Sequence, residues 1–364
     1  MKALSKLRQH FDWPLFLAIC VLCAVGVVNL YSATSSTQLT LVRQQLTWIG
    51  VALGVFTVTT LFDYRLLTGL AYPLYGIGVL LLLLVLVVGK SVNESQRWIF
   101  IGGLGLQPSE IMKPIMIVVL AKYLADDPVT EGGWVKHVAI PILLVGAPMV
   151  LVLKQPDLGT AMIIFLIFLS VLTLIKLKLR AILLLMAVAL VSAPLAWHYL
   201  LKGYQKQRIY TFLNPELDPV GAGWQSRQSV FAVGSGGFVG KGYMQGTQNQ
   251  FHFLPERWTD FPFAVWAEEW GFLGSVLLLG IYVFLVLWAV KIATQARDRF
   301  GAVLCVGVAA LYFWHVVISV GMVIGIVPVV GVTLPFVSYG GSSLVTMFCA
   351  TGLLMNVAVR KSSF

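Results

Sequence analysis

Charge is what this chain lacks. Only 11% of its 364 residues are Asp, Glu, Lys or Arg, against roughly 25% in soluble domains. With 59% apolar residues and a mean hydropathy of +0.88, the chain has too little polar surface to cover a water-soluble core. Cysteine is also scarce. Cys20, Cys23, Cys305 and Cys349 all lie in apolar segments, and the single CxxC has no second ligand pair, so packing is the better reading than a zinc site. No internal repeat or low-complexity tract is present, and no compact basic cluster suggests nucleic acid.

What is there is long apolar runs. A spanning helix needs about 20 mostly apolar residues, and uncharged windows occupy 13–42, 44–62, 66–89, 138–153, 158–175, 181–201, 270–290 and 300–359. The last holds two helices around the turn residues Pro328, Gly331 and Pro335, and 109–124 is a further span interrupted by Lys113. Residues 32–40, at the end of the first window, read as loop. The runs lack the alternation of barrel strands, and open strands do not survive in lipid. The expectation is an all-α integral membrane protein of about ten transmembrane helices, forming a single domain over 1–364. The basic N-terminal stretch and the apolar run after it read as an uncleaved first span, because no small-x-small cleavage site follows.

Cations set the orientation. Lys2, Lys6, Arg8, Lys176, Lys178, Arg180, Arg297, Arg299, Arg360 and Lys361 fall on one side, whereas the other side's short loops hold only Arg43, Lys90, Arg97 and Lys154. Excess Lys and Arg marks the cytoplasmic side. Both termini are therefore expected inside, with 90–108, 154–157, 328–342 and one large loop, 201–262 between helices 7 and 8, outside.

Ionisable groups within spans are costly and mark function by default. Glu110 and Lys113 are three apart, on one helical face, and Asp157 opens the sixth span. Two readings stand: an ion-pair cluster that fixes packing, with Asp157 as an N-cap, or a polar cavity in which Lys113 meets an anionic, sugar-bearing ligand. In the outer loop, Lys202, Lys206, Arg208, Arg227, Lys241 and Arg257 face Glu216, Asp218, Glu256 and Asp260. Its glycines at 234–242 do not form a dinucleotide fingerprint and instead permit close backbone turns. Residues 225–233 form a short helix on this reading. Asp260 stands at the membrane boundary beside Trp258, Phe261 and Phe263. Partial desolvation there raises a carboxylate's pKa and makes a general base; an ordinary interfacial acid is the alternative.

The ordered set of motifs resembles one family. Gln96-Arg97-Trp98, Gln107-Pro108-Ser109-Glu110 with Lys113, Gln155-Pro156-Asp157, the glycine stretch, Pro255-Glu256-Arg257 with Thr259-Asp260-Phe261, and Pro335-Phe336-Val337-Ser338-Tyr339-Gly340 are similar to the SEDS proteins, RodA more than FtsW. The resemblance implies a peptidoglycan glycosyltransferase of the bacterial cytoplasmic (inner) membrane, polymerising lipid II on its outer face for cell elongation. It also implies a class B penicillin-binding protein and the elongation machinery as partners, and no organic cofactor. It marks Asp260 as the catalytic carboxylate and Trp98 as a sensitive position. Arg97, Lys113, Arg208 and Arg257, or a Mg²⁺ ion, would bear the charge of the departing pyrophosphate. Glu110 and Asp157 would shape the cavity or hold the metal, with Ser338 and Tyr339 near it. Trp258, Pro262 and Ser319 depart from the family pattern. A lipid II flippase and a non-catalytic scaffold are the rival readings, separated from an enzyme by whether the key carboxylate sits on the outer loop or charges line a path.

Overall fold

The computed structural model describes residues 11–34, 39–92, 95–101, 104–126, 134–174, 187, 190–191, 194–201, 203–214, 216, 218 and 221–361. Three long helices come first: α1 (Trp13–Thr34), α2 (Leu39–Leu61) and α3 (Leu66–Val88). A small sheet follows, then α4 (Pro108–Asp126), α5 (Trp134–Lys154) and α6 (Leu158–Leu172). A π-helical turn, Ala196–Leu200, leads to the shorter α7 (Gly203–Leu213), α8 (Ala222–Ser235) and α9 (Thr247–Gln250). The chain closes with α10 (Pro262–Thr294), α11 (Arg299–Val323) and α12 (Gly341–Arg360). Among the described residues six of these helices, α1, α2, α3, α10, α11 and α12, are long and apolar enough to cross a membrane, and two shorter apolar stretches, Ala139–Lys154 and Leu158–Leu172, accompany them. The window 181–201 lies largely outside the described residues.

The all-α expectation is corrected at 90–106. Strands β1 (Lys90–Val92), β2 (Ser95–Ile101) and β3 (Leu104–Leu106) form a three-stranded antiparallel sheet in that order. Lys90 pairs with Trp98 but Ser91 pairs with Gln96, so Arg97 is the extra residue of a bulge. A bulge re-aims the side chains around it. Two boundaries also move. Ser32, Ala33 and Thr34 are helical and buried, and the span expected from 270 begins at Pro262, because proline's missing N–H costs nothing in a helix's first turn.

Small residues set the packing, as they do between helices in lipid. Gly341 lies against Trp48 and Gly352 against Thr59, which brings α12 onto α2. α11 packs between α4, α6 and α10, with Gly307 against Ile117 of α4.

One helix is broken by design of its sequence. Gly271, at φ 65° and ψ −161°, interrupts α10, in a region essentially reserved for glycine. Two intrahelical bonds, from the N–H groups of Phe272 and Leu273 to the carbonyls of Glu268 and Glu269, are thereby lost. The glycine loop after α8 replaces both ends of both. Phe272 and Leu273 donate to the carbonyls of Gly237 (2.9 Å) and Phe238 (3.1 Å), while Lys241 and Gly242 donate to those of Glu268 and Glu269, each at 3.0 Å. The approach is so close that a Cβ on Gly240 would collide with the Glu269 carbonyl, and one on Gly271 with the Gly240 nitrogen. Gly271→Ala should therefore lower the thermal midpoint in detergent, at a cost on the order of 1–3 kcal/mol from backbone strain alone. Gly280→Ala, in the same helix with open space around it, should be neutral or stabilising; an equal loss from both would contradict the role given to the break.

Candidate active site

Three helices begin on the wall of one cavity. The starts of α4, α6 and α12, with β2, α7 and the segments 256–260 and 329–333, enclose a volume of about 920 Å³. Helix N-termini offer unpaired N–H groups and positive potential, so their convergence suits an anion. Asp260, Trp98, Arg97, Glu110, Lys113, Asp157, Arg208 and Tyr339 all border this space. Residues 170 or more positions apart in sequence thus share one compartment.

The side chains divide by what they already hold. Asp157 is the N-cap of α6, accepting from the Thr160 N–H at 3.1 Å, and also accepts from Gln107 (2.9 Å) and Ser109 (3.0 Å). Arg97 lies 3.8 Å from its other oxygen and donates to the Pro156 carbonyl at 2.6 Å. Asp157 and Arg97 therefore weld β2 to the starts of α4 and α6. Asp157 is thus both the N-cap of α6 and part of the cavity wall. Lys113, 1% exposed, donates to Glu110 Oε1 at 2.7 Å, and Glu110 Oε2 is buried without a hydrogen-bond partner among the described residues. Arg208 donates to the Val329 carbonyl at 3.1 Å.

Asp260 sits in the turn before α10. Its N–H and that of Thr259 donate to the Glu256 carbonyl, at 3.0 and 3.2 Å, and a Cβ on Gly331 would lie 3.5 Å from its Oδ2. Burial pushes its carboxyl up to about 6, and the neighbouring Glu256 adds to the rise, while Arg208, Thr259 and Arg97 pull it back. Burial dominates because few dipoles replace the lost water. Such a group is ionised at neutral pH yet basic enough to take a proton. The backbone is tight here: Glu256 stands at φ 50°. Thr259 Oγ1 donates to its Oε2 at 3.1 Å. Tyr339 ties the facing segment down, its N–H donating to the Trp258 carbonyl (2.8 Å) and its hydroxyl to Gln44 (2.7 Å).

Two expected site residues lie elsewhere. Arg257 is buried outside the cavity wall, donating to the carbonyls of Ala33 (2.6 Å) and Asn249 (3.1 Å) and stacked over Trp258. Its guanidinium is spent on carbonyls at the ends of α1 and α9, where helices leave acceptors unpaired. Ser338 accepts from the Leu334 N–H at 2.7 Å and closes a turn. Conversely, Glu256 and His315 border the cavity. Neither was singled out from the sequence, although a histidine inside an apolar run is itself an intramembrane ionisable group. Glu268 and Glu269 were missed because the span was started after them. Both are buried, Glu268 against Lys241 at 2.7 Å and Glu269 against the Ser32 hydroxyl.

Among the described residues no three His, Cys, Asp or Glu side chains gather where they could hold a metal. Lys113, Arg208 and Arg97 are the described Lys and Arg side chains on the cavity wall.

The sequence and the fold are similar to those of known proteins. The family described as cell cycle protein, FtsW/RodA/SpoVE, matches residues 13–363. The chain belongs to this family, the SEDS proteins. It is 39% identical over 356 residues to peptidoglycan glycosyltransferase MrdB of Escherichia coli (strain K12), covering 97% of this chain and 95% of that protein. It is 30% identical to peptidoglycan glycosyltransferase RodA of Treponema pallidum, covering 97% and 98%. A solved structure concerned with coordination of polymerization and crosslinking by a peptidoglycan synthase complex superposes with a TM-score of 0.84 at 35% identity, covering 97% of this chain and 99% of that one. The crystal structure of Thermus thermophilus RodA gives 0.73 at 31%, covering 97% and 98%.

Two outcomes follow from the geometry. Only ionised Asp260 accepts a proton, so kcat/KM should fall as pH drops through about 6. Glu256→Gln should move that limb to lower pH by removing a negative neighbour, and Arg208→Gln should move it higher; a pH–rate profile blind to both would remove Asp260 as the titrating group. Lys113→Met leaves Glu110 without its counter-charge and should cost about 3 kcal/mol of stability together with activity. Full activity at a lowered thermal midpoint would assign the pair to packing alone.

Proposed function

We infer that this chain is a peptidoglycan glycosyltransferase that polymerises lipid II outside the cytoplasmic membrane during cell elongation. The observation that carries the reading is the shared cavity, whose wall holds the raised carboxylate of Asp260 together with Lys113 and Arg208. The glycosyltransferase activity rests on relatives that carry that name over nearly their whole length. Those names also set the transporter and scaffold readings aside.

The chemistry asks for two things. The 4-hydroxyl of one lipid-linked sugar loses its proton to Asp260 as its oxygen attacks the anomeric carbon of the other. The bond from that carbon to undecaprenyl pyrophosphate breaks, and the negative charge on the departing oxygen is met by Lys113, Arg208 and Arg97. Preorganised cations in a water-poor site are worth most where charge develops. No step is routed through a metal. The lipid tails lie between spans while the sugars and pyrophosphate occupy the cavity, which accounts for a catalytic turn at the head of a membrane helix.

The remaining parts of the reading concern placement. About ten spans follow from the lengths of the apolar runs, and both termini in the cytoplasm with the large loop 201–262 outside follow from the distribution of Lys and Arg. The membrane is the bacterial inner membrane, and a class B penicillin-binding protein crosslinks the product. The fit to a structure from a synthase complex supports that partner.

Purified protein with labelled lipid II, with and without its penicillin-binding protein, tests the proposal. Wild type should yield glycan polymer, and Asp260→Ala, at equal membrane levels, should yield at least about 100-fold less, the scale of losing general-base catalysis. Undiminished polymer from Asp260→Ala would remove that residue from the mechanism.

A further inference from the structure

His315 takes no part in the steps above, yet it touches both Lys113 and the segment 329–333 on the cavity wall. It lies on α11, 1% exposed, and borders the cavity. Its Nε2 is 3.0 Å from Lys113 Nζ and its Nδ1 is 3.0 Å from the Thr333 carbonyl oxygen. An ammonium group only donates and a carbonyl only accepts. Nε2 therefore carries no hydrogen and Nδ1 carries one, which fixes a neutral imidazole in a single tautomer.

The partners on either side give that tautomer its use. Lys113 has three N–H donors, of which one goes to Glu110 and one to His315, so the third is left for a ligand in the cavity. Thr333 lies two residues after Gly331, the glycine against the Asp260 carboxylate, and its hydroxyl is 2.7 Å from that of Ser343 at the start of α12. We propose that His315 is a positioning residue: as the Nδ1–H imidazole it aims the Lys113 ammonium into the cavity and ties it to the segment that flanks Asp260, so fixing the spacing between the cation and the base. The kinetic consequence rests on the glycosyltransferase reading, whereas the tautomer does not.

Two substitutions separate the two contacts. The amide nitrogen of asparagine falls near the place of Nδ1, so His315→Asn keeps the link to Thr333 and loses the acceptor for Lys113. The glutamine amide oxygen reaches the place of Nε2, so His315→Gln keeps the acceptor and loses the link. His315→Asn should raise the KM for lipid II about tenfold, the scale of one hydrogen bond to a charged group. His315→Gln should act mainly on kcat, through a misplaced cation. In a Lys113→Met background His315→Asn should add less than about twofold, because residues acting as a unit are not additive. Fully additive losses, or equal losses of thermal midpoint with KM and kcat unmoved, would overturn the proposal.

A measurement without turnover completes the test. Solid-state NMR of protein with ¹⁵N-labelled histidine in lipid bilayers, with His315→Gln to assign the signal, should show Nδ1 protonated and Nε2 bare, and Lys113→Met should shift Nε2. An Nε2–H tautomer or an imidazolium would overturn the inference. A wild type that makes no polymer but shows the Nδ1–H form would overturn the proposed function and uphold the positioning geometry.

Discussion

Backbone that leaves the helix in a bilayer has no water to turn to, so every released N–H and carbonyl must find a protein partner. At Gly271 this constraint organises the molecule. The break in α10 frees two donors and two acceptors, and the loop 237–242 supplies two of each in return. The exchange clamps the polar segment between α8 and α10 onto a membrane helix. From there the chain has only α9 and a tight turn before Asp260. Four backbone bonds, which no side-chain rotamer change can release, fix the start of the segment that leads to Asp260.

The cavity follows the same logic in charges. Its carboxylates and cations are not equivalent, because some are already committed. Asp157 and Arg97 join the sheet to two helix starts, and Arg257 is taken up by carbonyls beside α1. Lys113 keeps a donor for a ligand, and Asp260 keeps a carboxylate whose affinity for protons is raised by burial and by Glu256. Asp157 and Arg97 hold the walls of a polar compartment inside an apolar protein, and Lys113 and Asp260 border the same space. Burying so many charges is tolerable only in such a network, since an unpaired buried charge is strongly destabilising.

Much of this was legible in the sequence where one physical rule dominates. Apolar run length marked α1, α2, α3, α11 and α12, and the turn at Pro328–Pro335 was correctly set between the last two. Cost of burial picked out Glu110, Lys113 and Asp157, and the membrane boundary picked out Asp260. The sheet at 90–106 escaped because two of its three strands have only three residues, too few to carry a period. Ser32 looked like a loop residue, but its hydroxyl serves the buried Glu269, which hydropathy had placed outside the span. Arg257 looked like a ligand-binding cation by proximity to Asp260 in sequence, yet adjacent residues in a tight turn point in different directions. His315 was invisible to a count of formal charge, because a neutral imidazole adds nothing to it.

The proposed mechanism requires one lipid-linked head group in the cavity that Asp260, Lys113 and Arg208 border. A cryo-electron microscopy map of the Asp260→Asn variant with lipid II in a nanodisc tests it most directly. The mechanism requires density for a sugar pyrophosphate in that cavity, with the pyrophosphate toward Lys113 and Arg208 and a sugar hydroxyl toward position 260. A head group bound elsewhere on the protein, with the cavity empty, would contradict it.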